Sequence, residues 1–131
     1  MLNRKTIIQI AKARLKDART LLSAKRFDGA VYLCGYAIEL GLKSKICETL
    51  NWQGYPESRN EFENYRSFKT HDLDVLLHLS GVEAQIKKSF LAEWSAISQW
   101  NPEARYKPIG KVKPIDAKSM LTAAGKLLKQ L

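Results

Sequence analysis

Four polar residues, Tyr32, Tyr36, Glu39 and Lys43, follow one another at spacings of four, three and four in an otherwise apolar stretch. On a helix that spacing lines them up along one side. Tyrosine rings can stack on a nucleobase, and a lysine ammonium can meet a phosphate, so the line can form the wall of a ligand groove. The plainer reading is an ion pair: Glu39 precedes Lys43 by four, the favourable order on one helix. Such a pair would solvate the stripe or bridge to a neighbouring helix. A second group is Arg105–Tyr106–Lys107–Pro108. The arginine offers a planar fork that grips phosphate, and Tyr106 offers a stacking face. Pro102 and Pro108 would stiffen the loop that presents them. The alternative pairs Arg105 with a buried carboxylate such as Glu39 and puts Tyr106 in the core. The third group is Arg66 and His71 in RSFKTH. A histidine can take the 2′-hydroxyl proton of RNA near neutral pH, and an arginine can stabilise charge growing on the phosphate. The plainer reading is a chance spacing, with Asp72 complementing a helix start and His71 bonded to a neighbouring loop. His78 reads as a surface residue.

Other chemistry has no support. The chain has no GxxxxGK[ST] phosphate loop, no HExxH, no GxSxG and no clustered carboxylates. No metal site and no cofactor are expected. Cys34 and Cys47 are 13 residues apart on one expected helix, roughly 20 Å at 1.5 Å per residue. A disulfide cannot bridge that separation, and no cysteine–histidine spacing suits zinc, so both read as buried thiols.

The elements that must position these groups are helical. The stretch Phe27–Leu50 has no proline, and Asp28 is placed to cap its start. Phe27, Val31, Cys34, Ile38, Leu42 and Ile46 form one apolar seam, and Leu33, Ala37, Leu40 and Cys47 form a second stripe on the far side. A helix apolar on two faces is covered on two faces. A first helix is expected from Asn3 or Arg4 to Ala24, with Ile8, Ala11, Leu15, Ala18 and Leu22 inward. The short turn between the two makes them antiparallel neighbours. Residues 51–69 lose all periodicity after Gly54 and Pro56, but carry Trp52, Tyr55, Phe62, Tyr65 and Phe68, so this loop must pack onto something. A short helix is expected over Asp72–Leu79, capped by Thr70 and stopped by Gly81. A longer one is expected over Val82–Trp100, with Val82, Ile86, Phe90, Ile97 and Trp100 on one face and Trp94 at its edge. Residues 102–114, with three prolines, read as an extended loop. The last helix is expected over Ile115–Lys129. No segment alternates with a period of two, so no sheet is expected. The fold class is therefore all-α: one domain, 1–131, an antiparallel up-and-down bundle of four main helices plus one short helix.

Charge narrows the partners. The net charge is +9, and residues 4–26 hold eight basic side chains against Asp17 alone. Arg105, Lys107, Lys111 and Lys113 form a second basic run. Such a surface favours polyanions: nucleic acid, nucleotides or an acidic protein. No run approaches the roughly 18 apolar residues of a membrane span, and the charged N-terminal stretch lacks the apolar core of a signal peptide. The expected location is cytoplasmic, without membrane contact.

Three segments together resemble a known family. They are AVYLCGYAIELGLKSKI, with Ala37, Glu39 and Lys43 in an Ala-x-Glu-x-x-x-Lys pattern; KTHDLDVLL, from Lys69 to Leu77; and ARYKP, from Ala104 to Pro108, before an alanine- and leucine-rich last helix. In this order they resemble the HEPN domains, small prokaryotic helical bundles often found with minimal nucleotidyltransferases. The resemblance implies an up-and-down bundle, usually a homodimer, with roles in toxin–antitoxin pairs, phage defence, RNA cleavage or nucleotide binding. HEPN ribonucleases carry an arginine, four to six residues, then a histidine, near the start of the last core helix. Here no histidine follows Arg105, and the one match to that spacing is Arg66–His71. This departure makes a non-catalytic or nucleotidyltransferase-associated type the better fit. Three functions remain open: a nucleotide- or RNA-binding module working with a separately encoded nucleotidyltransferase, a metal-independent ribonuclease using Arg66 and His71, and a protein-interaction subunit.

Overall fold

The computed structural model describes residues 1–131. Asn3 opens the first helix, α1 (Arg4–Ser23), by accepting from the backbone N–H groups of Lys5 at 2.9 Å and Thr6 at 3.4 Å. Ile7, Ala11, Leu15 and Ala18 are its buried stripe. Ile7 rather than Ile8 leads it, one residue earlier than the sequence pattern suggested. Lys25, at φ 61°, turns the chain back. The second helix, α2 (Phe27–Thr49), then runs beside α1. The two are antiparallel: a two-residue strand β1 (Leu2–Asn3), just before α1, pairs with β2 (Gly54–Tyr55), just after α2. This small ladder was not expected from the sequence. Gly54 permits it, because a Cβ there would lie 2.6 Å from the carbonyl oxygen of Leu2.

The expected four main helices and one short helix are corrected to six helices and two 3-10 turns. After the 3-10 turn Arg66–Phe68 come α3 (Leu73–Ser80), α4 (Glu83–Ser89) and α5 (Leu91–Ile97). A second 3-10 turn, Pro102–Tyr106, precedes α6 (Pro114–Leu128). The expected single helix over Val82–Trp100 is broken at Phe90, whose φ of −134° and ψ of 31° lie outside the helical region. The bend gives each half its own neighbour: α4 packs on α3, and α5 packs on α6. Trp94, expected at the edge, is buried, and its indole N–H donates to Asp74 at 3.0 Å. The expected extended loop holds a 3-10 turn because Asn101 accepts from the Glu103 N–H at 2.9 Å and Pro102 sits in the first turn.

Two caps also differ from expectation. Asp72, not Thr70, caps α3, accepting from Asp74 and Val75, while Thr70 accepts from the Asp72 N–H one step earlier. Asp28 does not cap α2. Its carboxylate reaches across the chain and accepts from the N–H groups of Gly110 at 2.7 Å and Val112 at 3.3 Å. Gly81 ends α3 in the left-handed conformation, as its position suggested.

The core runs through the middle of α2. Cys34, Ile38, Leu42 and Ile46 of the first seam are fully buried, and so are Ala37 and Cys47 of the second. The same chain covers these buried positions through α1, α3 and α6, while Leu33 and Leu40 of the second stripe stay half-buried. Gly41 lies against Leu128 and Leu131. The aromatic loop packs largely on itself, with Tyr65 left exposed. Trp52 packs on Tyr65 and Phe68, Tyr55 on Phe62 and Phe68, and the Tyr55 hydroxyl donates to the Phe68 carbonyl. No helix is long and apolar enough to cross a membrane.

Burial has a measurable consequence at Cys34. Removal from water pushes its thiol from 9.0 up to about 12, because the thiolate would lose its hydration. Cys47 is shifted the same way, again mainly by burial. Above pH 9 the unfolded chain therefore gives up thiol protons that the folded chain keeps. The thiols' contribution is fully present below pH 9 and is lost as the pH rises toward 12. Urea unfolding at pH 8 and pH 10.5 is expected to show a drop in stability that Cys34→Ala reduces. A drop unchanged by Cys34→Ala would place its source elsewhere.

Candidate functional site

Tyr32, Tyr36, Glu39 and Lys43 do form one line along α2, and the structure brings further residues to both ends. At the lower end Glu39 is only 3 % exposed. Its Oε2 accepts from Lys43 Nζ at 3.1 Å, and its Oε1 lies 2.9 Å from His71 Nδ1. A buried carboxylate needs such partners, since desolvating it alone costs several kcal/mol. An ionised carboxylate only accepts, so Nδ1 of His71 carries the proton and Nε2 is left free on a side chain that is 59 % exposed. Lys43 Nζ also sits 5.2 Å from the centre of the Tyr55 ring. Thus Glu39 and Lys43 form an inward-facing unit. Its bridge is to His71, 32 residues away, where the sequence suggested a loop contact for that histidine.

The upper end is aromatic and cationic. Tyr32 and Tyr36 meet edge to face at 5.2 Å, and Tyr36 meets Trp100 the same way at 4.9 Å. The Arg105 guanidinium lies 4.7 Å from the centre of the Tyr106 ring. Hydrogen bonding to the Tyr106 phenol, then to the Tyr32 phenol, holds Arg105 above its ordinary range, so its charge is permanent. Burial, followed by the hydrogen bond to Tyr32, pushes the Tyr36 phenol up, and the nearby Glu39 charge acts in the same direction. The alternative that paired Arg105 with Glu39 is not what forms: Glu39 is taken by Lys43 and His71, and Tyr106 is 72 % exposed rather than in the core. The loop that carries Arg105 and Lys107 is tied to the start of α2 by the two bonds to Asp28.

Arg66 is placed apart from this line. It is exposed on its 3-10 turn and lines a surface hollow of about 480 Å³ with Arg59, Asn60 and Lys69. His71 is not among that hollow's walls. His78 is exposed and lies 3.3 Å from Glu83. No group of three or more acidic, histidine or cysteine side chains is placed to hold a metal.

Two features were missed in the sequence. The Glu39–His71 bond joins residues far apart in the chain, although a carboxylate on an apolar helix face is itself a signal that a partner must exist. Trp100 was read only as a core residue. It is 7 % exposed and its Nε1 has no acceptor, which makes it the one buried side-chain polar atom without a partner.

Residues 5–56, which take in nearly all of α1, all of α2 and the strand β2, match the HEPN domain family. Over that part of its length the chain is similar to the HEPN domains. No curated protein and no solved structure matches it. The match includes the Tyr32–Lys43 line and ends before His71 and Arg105.

Proposed function

We propose that this protein is a HEPN-like nucleotide- or RNA-binding module that works with a separately encoded minimal nucleotidyltransferase in a toxin–antitoxin or defence system. The observation that carries the binding is the exposed Arg105 guanidinium, set on the Tyr106 ring beside Tyr32 and held on a tethered loop. A planar permanent cation flanked by ring faces is suited to a phosphate with an unstacked base beside it. The basic residues of α1 add a diffuse attraction. The resemblance supplies the nucleotidyltransferase and a two-copy assembly. Co-purification of the chain with such an enzyme, and mass by light scattering, read those two parts. A strict monomer at micromolar concentration removes the homodimer.

The binding test compares two charge reversals of equal size. Arg105→Glu with Lys107→Glu is expected to weaken binding of single-stranded RNA by at least about tenfold. Lys12→Glu with Lys16→Glu on α1 is expected to weaken it less. Affinity falls steeply with salt, and the Arg105 variant lowers that slope by roughly two phosphate contacts. Equal losses would mean a diffuse field with no site at Arg105. No binding at low salt would leave the protein-interaction reading.

One observation favours a second reading, a metal-independent ribonuclease using Arg66 and His71. His71 is oriented through Nδ1 by buried Glu39, as a general base is held by a carboxylate. Against it, Arg66 lines a hollow whose walls do not include His71. Strong cleavage by the isolated chain is therefore not expected. Cleavage of RNA in chelator, abolished by His71→Ala with the fold intact, would establish this second reading.

A further inference from the structure

The most exposed large apolar side chain of the molecule is Ile109, at 95 %. It stands on a turn that is held in place. Pro108 precedes it, and Gly110 follows in the left-handed conformation at φ 84°. The Asp28 carboxylate, at the start of α2, accepts from the Gly110 and Val112 N–H groups and ties the turn to the bundle. Beside Ile109 is a hollow of about 330 Å³, walled also by Val112, by Leu21 of α1 and Phe27 of α2, and by Lys25 and Arg26 of the turn between those helices. Leu21, Phe27 and Val112 are each half-buried. Three separate stretches of chain thus bring four apolar side chains to one place at the end of the bundle. Cations surround them. Lys25 and Arg26 are in the wall itself, and Lys111 and Lys113 flank Val112 in the chain. None of the four makes an ion pair. The one acid in the wall, Asp28, is already engaged by the two backbone amides.

We propose that this end of the bundle docks on an anionic lipid surface, with Ile109 entering the acyl boundary and Lys25, Arg26, Lys111 and Lys113 meeting headgroup phosphates. Cations alone would suit any polyanion. Ile109 separates the choices, because a nucleic-acid backbone gives an aliphatic side chain no apolar host, whereas a bilayer does. A protein can offer an apolar pocket, but protein interfaces are depleted of lysine, and three of the four cations here are lysines. A bilayer accepts lysine readily: the long stem lies along apolar surface while the ammonium reaches the anionic headgroups. The expectation of no membrane contact rested on the lack of a spanning stretch, and contact at the surface needs no span. One apolar tip adheres only weakly by itself, and the basic rim supplies the second signal that stable anchoring takes. Arg105 and the tyrosines of α2 take no part, so the lipid contact and the nucleotide site stand or fall separately.

The test uses the full chain and vesicles pelleted by centrifugation. Vesicles of equal parts phosphatidylcholine and phosphatidylglycerol are expected to bring the protein down, and vesicles of phosphatidylcholine alone are not. Ile109→Ser should weaken that binding about tenfold, through loss of the apolar insertion. Lys25→Ala with Lys111→Ala should weaken it about thirtyfold, through two lost headgroup contacts. All three side chains are exposed, so neither variant disturbs the core. Because Cys34 and Cys47 are buried, Ile109→Cys supplies one exposed thiol for an environment-sensitive fluorophore. Its emission should shift to the blue with the anionic vesicles and stay unchanged with single-stranded RNA. No pelleting with anionic vesicles overturns the proposal. Pelleting that Ile109→Ser leaves unchanged overturns it too, as does a label that does not shift, since both mean charge attraction without insertion. If Ile109→Ser weakens binding of RNA and not of vesicles, the turn serves nucleic acid and the lipid contact falls.

Discussion

Replacing Gly35 by alanine is expected to cost about 3 kcal/mol of stability, near the upper end of what overpacking a core costs. A Cβ at that position would lie 2.1 Å from Cδ2 and Cε2 of Trp100 and 2.3 Å from its Cγ. These are ring atoms, not the end of a flexible chain. The ring cannot easily retreat, because Trp100 is only 7 % exposed and Tyr36 stands against it at 4.9 Å. Relaxation would have to push α2 away from the end of α5, through the most buried part of the molecule. Alanine is the better helix former by roughly 1 kcal/mol, so any gain from propensity works against this loss and does not overcome it. Thermal unfolding should start about 10 °C lower, given a few degrees per kcal/mol for a domain of this size. Combining Gly35→Ala with Trp100→Leu should cost less than the two single losses together, because the smaller side chain removes the clash. Strict additivity would show that the ring is not what the new methyl meets.

That role of Gly35 was only half legible. A glycine inside a helical pattern signals a close approach, but the sequence does not say by what. What was legible rests on local physics. Helices α1 and α2 have long apolar periods with no proline, and Leu73, Leu76 and Leu77 of α3 are all buried as their spacing implied. What was illegible depends on partners far along the chain. The break at Phe90 has no proline or glycine to announce it; it follows from α4 and α5 covering different neighbours. Asp28 looked like a cap because its position allows one, yet the Gly110 and Val112 amides, more than 80 residues on, compete for it and win. The second apolar stripe of α2 and the aromatic loop both called for a cover that the sequence did not name. In the fold much of that cover comes from within the chain, through α3, α6 and the packing of Trp52 with Tyr65 and Phe68, while Leu33 and Leu40 stay half-buried and Tyr65 stays exposed. The Tyr32–Lys43 line was legible as a line, because side-chain direction on a helix follows from spacing alone. Its division into an inward ion pair and an outward aromatic end was not, because that depends on where His71 and Arg105 arrive.

Glu39→Ala is expected to cost about 3 kcal/mol, the size seen when one member of a buried ion pair is removed. The carboxylate is 3 % exposed and meets two donors, while the Lys43 side chain is only 15 % exposed. Without Glu39, the Lys43 ammonium keeps only the face of Tyr55, and no acid replaces the lost charge. Glu39→Gln should be milder, since its amide oxygen can still accept one of the two bonds while the charge is gone. His71→Ala should cost less than about 1 kcal/mol, because the imidazole is 59 % exposed and solvent screens its interaction. The decisive comparison uses Lys43→Met, which keeps the apolar stem and deletes the ammonium. In that background Glu39→Ala leaves no buried cation behind, so its cost should fall by at least about 1 kcal/mol. Urea unfolding of these five variants, the double included, measures all of this. The same loss for Glu39→Ala with and without the Lys43 charge would mean that packing of the side chain, and not the ion pair, is what α2 depends on at this point.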